Sequence, residues 1–280
     1  GYKNHSDHYL ENNNITSILQ DREGGYWFAT LNNGVYYMAG YGIKGIPFSQ
    51  GLFQKPTSLA ADFSSSVYAG CWNGALVRIK DGETKVVYYP GNGAHFPVTN
   101  LSSFSNDEKI YLSRSQPGYF YRDNFISFKC DKFLGIKTNF IKRFDGDLYC
   151  GGTRFIFKNK KDSIIPFAII SQRISCISET QNHQLLLGSN LGVFIFDENT
   201  KETVLFRKEF DNIRVDDIKW SGNNIFFATK GKGVLVLTND SIIKIDESNG
   251  LCSNLVNKLL VTGNEVWCTT NKGVSHIILN

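Results

Sequence analysis

The chain has 280 residues, with 26 glycines, 21 phenylalanines, 13 tyrosines and a single methionine. That is the balance of a turn-rich β protein, because aromatic side chains favour strands and glycine favours tight turns. A formal net charge of +4 with 20% charged residues excludes a disordered chain and gives no sign of a nucleic-acid or membrane-surface binder.

In chain order, the first 14 residues include DHYLE and precede any clear repeat. An alternating strand TSILQD (16–21) follows, then a turn at Glu23-Gly24-Gly25 and an aromatic strand from Tyr26 to Thr30. A second turn, Asn32-Asn33-Gly34, opens a third strand at Val35. Such a meander cannot bury both faces alone, so it must be repeated. Trp27 has counterparts at Tyr68, Tyr111, Tyr149, Leu186, Phe226 and Trp267, at gaps of 41, 43, 38, 37, 40 and 41 residues. A small residue follows two positions later each time, at Ala29, Gly70, Ser113, Gly151, Gly188, Ala228 and Thr269. A turn glycine comes next at 34, 74, 118, 192, 233 and 273, whereas the fourth unit has Thr153-Arg154 there.

Alternation places Ile18, Leu59, Ile177 and Leu259 on one buried face of the first strand of their units. Short fourth strands read as IKGIPF, TKVVYY, FISFK, SIIPF, ETVLF and SIIKI. No segment of ten or more residues has a helical period. A four-stranded unit of about 40 residues is a propeller blade, so the expected fold is all-β: one domain over 1–280, a seven-bladed β-propeller of four-stranded antiparallel blades. The unit of Trp267 ends after its third strand. Residues about 5–11 are therefore expected to supply its outer strand and close the ring, with 1–14 as closing strand and lead-in.

No apolar run reaches the roughly 18 residues of a membrane span, so no direct membrane insertion is expected. The chain opens on Gly without a signal-peptide pattern and reads as an excised or processed fragment. Cysteines at 71, 130, 150, 176, 252 and 268 form no CxxC pair. They read as single buried thiols rather than a disulfide framework or a zinc site.

Ligands on propellers meet the loops at one channel mouth. The second-to-third loops carry Asn32-Asn33, Trp72-Asn73, Arg114 to Pro117, Thr153-Arg154, Asn190-Leu191, Lys230 to Lys232 and Asn271-Lys272. The outer-to-inner loops carry Arg173, Arg214 and the inserts Gly91 to Asn100 and Asp131 to Asn139. The candidate ligand-binding residues are Asn33, Trp72, Arg114, Arg154, Arg173, Arg214, Lys230 and Lys232, with Lys272 also in the basic set. Clustered cations steer an anionic ligand, arginine forks clamp carboxylate or sulfate, and Trp72 offers a face to a sugar ring. The alternative is ordinary solvated loops.

Enzyme signals are weak. The histidines are 5, 8, 95, 183 and 276, and neither GxSxG nor HExxH occurs. GKG at 231–233 is a turn, since no helix follows it. HSDH at 5–8 reads as an incidental pair, and Asp145/Asp147 and Asp216/Asp217 as turn or strand residues. No catalytic residue, metal or cofactor is expected. A propeller lyase or hydrolase, marked by His95 or His183 meeting two carboxylates, is one rival reading. An interaction scaffold with a large apolar mouth is the other.

The unit NNITSILQDREGGYWFATLNNGV resembles the bacterial two-component regulator propeller repeat through Ile15, Ile18, Asp21, Gly25, Trp27, Thr30, Gly34 and Val35. The seventh unit matches through Asn254, Leu255, Val256, Gly263, Trp267, Thr270, Gly273 and Val274. In units two to four the Thr position holds Cys71, Arg114 and Gly152. The resemblance implies a periplasmic or otherwise extracytoplasmic sensory module of a sensor histidine kinase or hybrid regulator. It also implies an oligosaccharide or other small extracellular ligand, with neighbouring receptor domains and a homodimer as partners, and no nucleic acid. Trp27, Trp267, Asp21 and the turn glycines are then structural.

Overall fold

A computed structural model describes residues 6–40, 42–46, 55–90, 96–104, 107–130, 138–144, 146–160, 163–180, 182–239 and 241–279. His5, His95, Asp145 and most of the two long inserts lie outside the described residues. The chain forms two compact units, one of Gly1–Thr16 with Ile170–Asn280 and one of Ser17–Ile169.

Strand β1 is Ser6–Tyr9. The unit of Trp27 gives β2 (Ile15–Gln20), β3 (Tyr26–Thr30), β4 (Val35–Ala39) and β5 (Gly42–Ile46). That of Tyr68 gives β6 (Pro56–Ala61), β7 (Val67–Cys71), β8 (Leu76–Lys80) and β9 (Glu83–Tyr88). That of Tyr111 gives β10 (Asn100–Ser102), β11 (Ile110–Ser113), β12 (Gly118–Tyr121) and β13 (Asn124–Ser127). Next come β14 (Thr138–Phe144), β15 (Asp147–Lys160), β16 (Ser163–Glu179), β17 (Leu185–Ser189), β18 (Val193–Phe196) and β19 (Thr203–Leu205). The last two units give β20 (Val215–Ser221), β21 (Asn224–Thr229), β22 (Val234–Thr238), β23 (Ser241–Ile245), β24 (Val256–Thr262), β25 (Glu265–Thr270) and β26 (Val274–Ile278).

The expectation of seven four-stranded blades is corrected by the hydrogen bonding. Among the described residues there are six sheets, five of four strands and one of six strands in the order β14-β15-β16-β17-β18-β19. The two sequence repeats around Tyr149 and Leu186 share that larger sheet. The cause is local. Where other units break their strands with a turn glycine, β15 runs through Thr153-Arg154 for 14 residues. Arg154 takes φ of 68° there, and the chain doubles back so tightly that a Cβ on Gly151 would lie 2.4 Å from the Phe155 carbonyl oxygen. The next strand, β16, then continues unbroken for 17 residues, so one strand serves as the outer edge of one repeat and the first strand of the next.

Elsewhere the repeat grammar is visible as contacts. Asp21 Oδ1 accepts from the Gly25 amide and its Oδ2 from the Trp27 indole, each at 2.7 Å, so the acidic residue ties turn to aromatic. The first strands carry a bulge at the same place, between residues 56/58, 138/140, 174/176, 215/217 and 256/258. A bulge raises local twist, which suits sheets stacked face to face. Cores form between neighbouring sheets. In the 17–169 unit, Ala60, Tyr68 and Leu76 pack with Val98, Leu101 and Leu112. In the other unit, Phe226, Val234 and Val236 pack with Val256, Leu259 and Val266.

The third-strand turns share one latch. Thr229 Oγ1 donates to the Gly233 carbonyl at 2.7 Å and accepts from the Lys232 amide at 3.0 Å. Thr30 and Gly34, Ser189 and Gly192, and Thr270 and Gly273 repeat it. Gly233 has φ of 73°, and a Cβ there would sit 2.1 Å from the Ile245 oxygen, so the latch needs glycine. Thr229→Val will cost about 1–2 kcal/mol, since it leaves the Lys232 amide without its acceptor. Thr229→Ser will keep most of that stability. Urea unfolding of the two variants checks it; equal losses would remove the latch.

Candidate ligand-binding loops

The loops that follow the second strands meet the lead-ins to the first strands. In the 17–169 unit, the Trp72 amide donates to Lys55 O at 3.0 Å, Val98 N to Cys71 O at 3.1 Å and Thr138 N to Arg114 O at 3.3 Å. In the other unit, Asn190 N donates to Arg173 O at 3.2 Å and Lys230 N to Arg214 O at 3.0 Å. The two loop classes chosen from the sequence therefore do share one end of their sheets within each unit.

Each unit presents its candidates differently. In the 17–169 unit, Trp72 is 57% exposed. Its neighbour Asn73 accepts from the Ala75 amide at 3.2 Å, which shapes the turn that projects the indole. Asn33 is exposed, with its amide held by Thr30 Oγ1 at 2.9 Å. Arg154 is exposed at the reversal in β15. Arg114 differs from all of these: it is buried, at 4% exposure. No hydrogen bond or ion pair joins Trp72, Arg114 and Arg154 to one another among the described residues.

In the other unit two cations converge. Arg214 is bidentate to Asp216, with Nε to Oδ1 at 2.8 Å and Nη2 to Oδ2 at 3.0 Å. Lys230 Nζ lies 3.5 Å from the same Oδ2 and donates to Asn257 Oδ1. Asn257 in turn donates to the Ile15 carbonyl at 2.6 Å. Burial pulls the Lys230 ammonium below the ordinary lysine value, against the Asp216 carboxylate, with Arg214 adding to the fall. Asp216 thus neutralises part of the basic set, and neither Asp216 nor Asn257 was among the sequence candidates. The Arg-x-Asp spacing of 214 and 216 was the available signal, because it leaves opposite charges two residues apart at the start of a strand. Arg173 and Lys232 are exposed, and the Arg173 amide donates to Asn190 Oδ1 at 3.1 Å.

The described histidines His183 and His276 each meet one carboxylate. His183 Nδ1 is 2.6 Å from Glu179 Oε1. His276 stacks on Trp267 at 4.1 Å and meets Glu265 at 3.2 Å. Among the described residues no group of three or more His, Cys, Asp or Glu is placed to hold a metal. The six cysteines are free thiols, and burial pushes that of Cys71 up to about 12.

Residues 9–32 match the family model of the two component regulator propeller. The propeller match thus ends on the turn that carries Asn32 and includes the Asp21–Trp27 tie. No curated protein matches the chain. Among solved structures, it resembles virginiamycin B lyase from Staphylococcus aureus at 15% identity and a TM-score of 0.82, covering 100% of both chains. It also resembles the extracellular domain of a B. thetaiotaomicron protein named for a hybrid two component system, at 18% identity and a TM-score of 0.77. That match covers 96% of this chain and 40% of the other, so the chain spans well under half of that relative. The WD40 beta propeller domain of Doa1 is similar at 13% identity and a TM-score of 0.75, over 99% and 96% of the two chains. At these identities the likeness is one of fold: the chain is an all-β propeller with four-stranded antiparallel blades, similar in fold to extracellular domains of two-component systems. No helix among the described residues is long and apolar enough to cross a membrane.

Proposed function

We propose that this propeller is the ligand-sensing module of a bacterial two-component receptor, working outside the cytoplasm and without catalysis of its own. The observation that carries this is the two component regulator propeller match over residues 9–32, and the fold likeness to an extracellular domain of a hybrid two component system supports it. The ligand is a saccharide or other small molecule held by the second-to-third loops of the 17–169 unit. Trp72 supplies the stacking face, because a half-exposed indole beside polar groups is the side chain best suited to a sugar ring. Asn33 and Arg154, the other exposed candidates of the same unit, supply polar and cationic contacts. Signal output belongs to neighbouring domains of the receptor, among them a histidine kinase, with a homodimer as its assembly.

Calorimetry against a panel of neutral and acidic oligosaccharides tests the reading. At least one will bind, and Trp72→Ala will weaken it about tenfold, the loss of roughly 1.4 kcal/mol expected for a stacked ring. Silence across the panel would sink the saccharide reading. Unchanged binding by Trp72→Ala would move the site away from this loop.

A further inference from the structure

The latch position at the end of the second strand holds a small hydroxyl in four places, at Thr30, Ser189, Thr229 and Thr270. In the unit of Tyr111 it holds Arg114. An arginine has no oxygen to accept from its turn, so this unit gives up the latch. Its backbone is secured from outside instead. The Arg114 amide donates to Thr138 Oγ1 at 3.0 Å, and that hydroxyl donates to the Arg114 carbonyl at 3.0 Å. The turn therefore does not need the arginine side chain.

The side chain is nevertheless buried, at 4% exposure. Its guanidinium lies 5.4 Å from the Tyr88 ring and 5.3 Å from the Phe125 ring. One nitrogen, Nη1, donates to the Tyr88 hydroxyl at 3.0 Å. Among the described residues the buried Nε has no acceptor and no carboxylate pairs with the group. A guanidinium keeps its charge at every accessible pH. Buried charges are otherwise paired, and an orphaned buried donor in a native fold calls for a bound water, ion or ligand. The orphan is also the right one. With Nη1 committed to Tyr88, the Nε edge is the side-on fork that receives two oxygens of one anion.

We propose that Arg114 is an anion-binding residue. It takes a ligand oxyanion with two oxygens in reach, a carboxylate or a sulfate ester such as an acidic saccharide carries, on its Nε edge. Tyr88 fixes the guanidinium plane, and the Tyr88 and Phe125 rings keep water off it. This deepens the sensory reading, on which it rests for its biological meaning, by naming the ligand's charge and the residue that reads it.

Thermal melts of the full chain in chloride, acetate and sulfate at matched ionic strength test the site. Sulfate also stabilises proteins without a site, so the readout is the difference between wild type and Arg114→Thr. That variant returns a hydroxyl to the latch position and is expected to fold. At tenfold excess over the dissociation constant, acetate or sulfate will raise the wild-type melting temperature about 3 °C further than it raises the variant's. Which anion does so identifies the group. Arg114→Lys keeps the charge, loses the fork and will lose most of the shift. It also carries the comparison if Arg114→Thr misfolds. Equal shifts in wild type and variant, for both anions, would overturn the site. That result alongside Trp72-dependent saccharide binding leaves the sensory reading standing. An anion shift without any saccharide binder leaves Arg114 standing and removes the saccharide.

Discussion

Deleting residues 1–12 will lower the melting temperature by about 10 °C. The segment supplies β1, which pairs antiparallel with β26 in the register Ser6↔Ile277 to Tyr9↔Val274. It is the outer strand of a sheet ordered β1-β26-β25-β24, so its loss strips a whole row of partners from β26. Three further ties go with it. His8 Nε2 meets the Gly250 carbonyl at 2.9 Å, and the Asn12 amide donates to Lys272 O at 2.9 Å. Tyr9 stacks on Trp267 with ring centroids 5.6 Å apart. At about 1 kcal/mol for each of these two hydrogen bonds and a similar amount for the aromatic pair, the three ties alone contribute roughly 3 kcal/mol, and the lost ladder adds to that. For a chain of this size each kcal/mol shifts the midpoint about 2–4 °C. Tyr9→Ala will produce a quarter to a half of the effect. A scanning-calorimetry midpoint that does not move on deletion would show that β26 needs no outer partner.

This closing strand was legible in the sequence for a simple reason: the last repeat runs out one strand short, and only the first residues were unassigned. The repeats themselves were legible because Asp21, Trp27 and the turn glycines each do a backbone job that every sheet needs. The sheet count was not. The repeat of Tyr149 shows its departure, Thr153-Arg154, but sequence does not show that β16 then runs from Ser163 to Glu179 as one strand. The candidate residues were partly legible too. Loop cations can be listed from a repeat alignment, yet their partners cannot. Asp216 draws in Arg214 and Lys230 from either side of β20 and β21, and that convergence depends on register. Arg114 shows the opposite limit. Its position was correctly seen as a departure from Thr, but only the buried hydroxyl latches of the other sheets show that the arginine stands where a small side chain belongs.

Asp217→Asn will cost about 3 kcal/mol and make the fall of stability at alkaline pH less steep. Asp217 is 6% exposed, and its Oδ2 accepts from the Leu259 amide at 3.1 Å. Lys219 Nζ stands 3.9 Å from the same oxygen. Lys258 comes from the next sheet and donates to the Asp216 carbonyl at 3.4 Å. Burial alone would pull the Lys258 ammonium below the ordinary lysine value. The Asp217 carboxylate, with Cys176 and Asp216 behind it, carries it above. A lysine raised by folding stabilises the fold fully below its unfolded pKa, and that stabilisation is lost as pH rises through the folded value. Wild-type stability should therefore fall with rising pH in the lysine range. Asparagine keeps the acceptor for Leu259 but removes the charge. Burial then weighs more at Lys258 and its folded pKa falls, so its share of the alkaline slope shrinks, while buried thiols such as Cys71, held above their ordinary range, keep the total slope negative. Leaving one partner of a buried pair unmatched is the costly change, whereas replacing both is often neutral. Lys258→Met in the Asp217→Asn background should accordingly recover about 2 kcal/mol. Urea unfolding from about pH 8 to 11 reads both effects, and a variant whose slope matches the wild type would show that Asp217 does not hold the charge on Lys258.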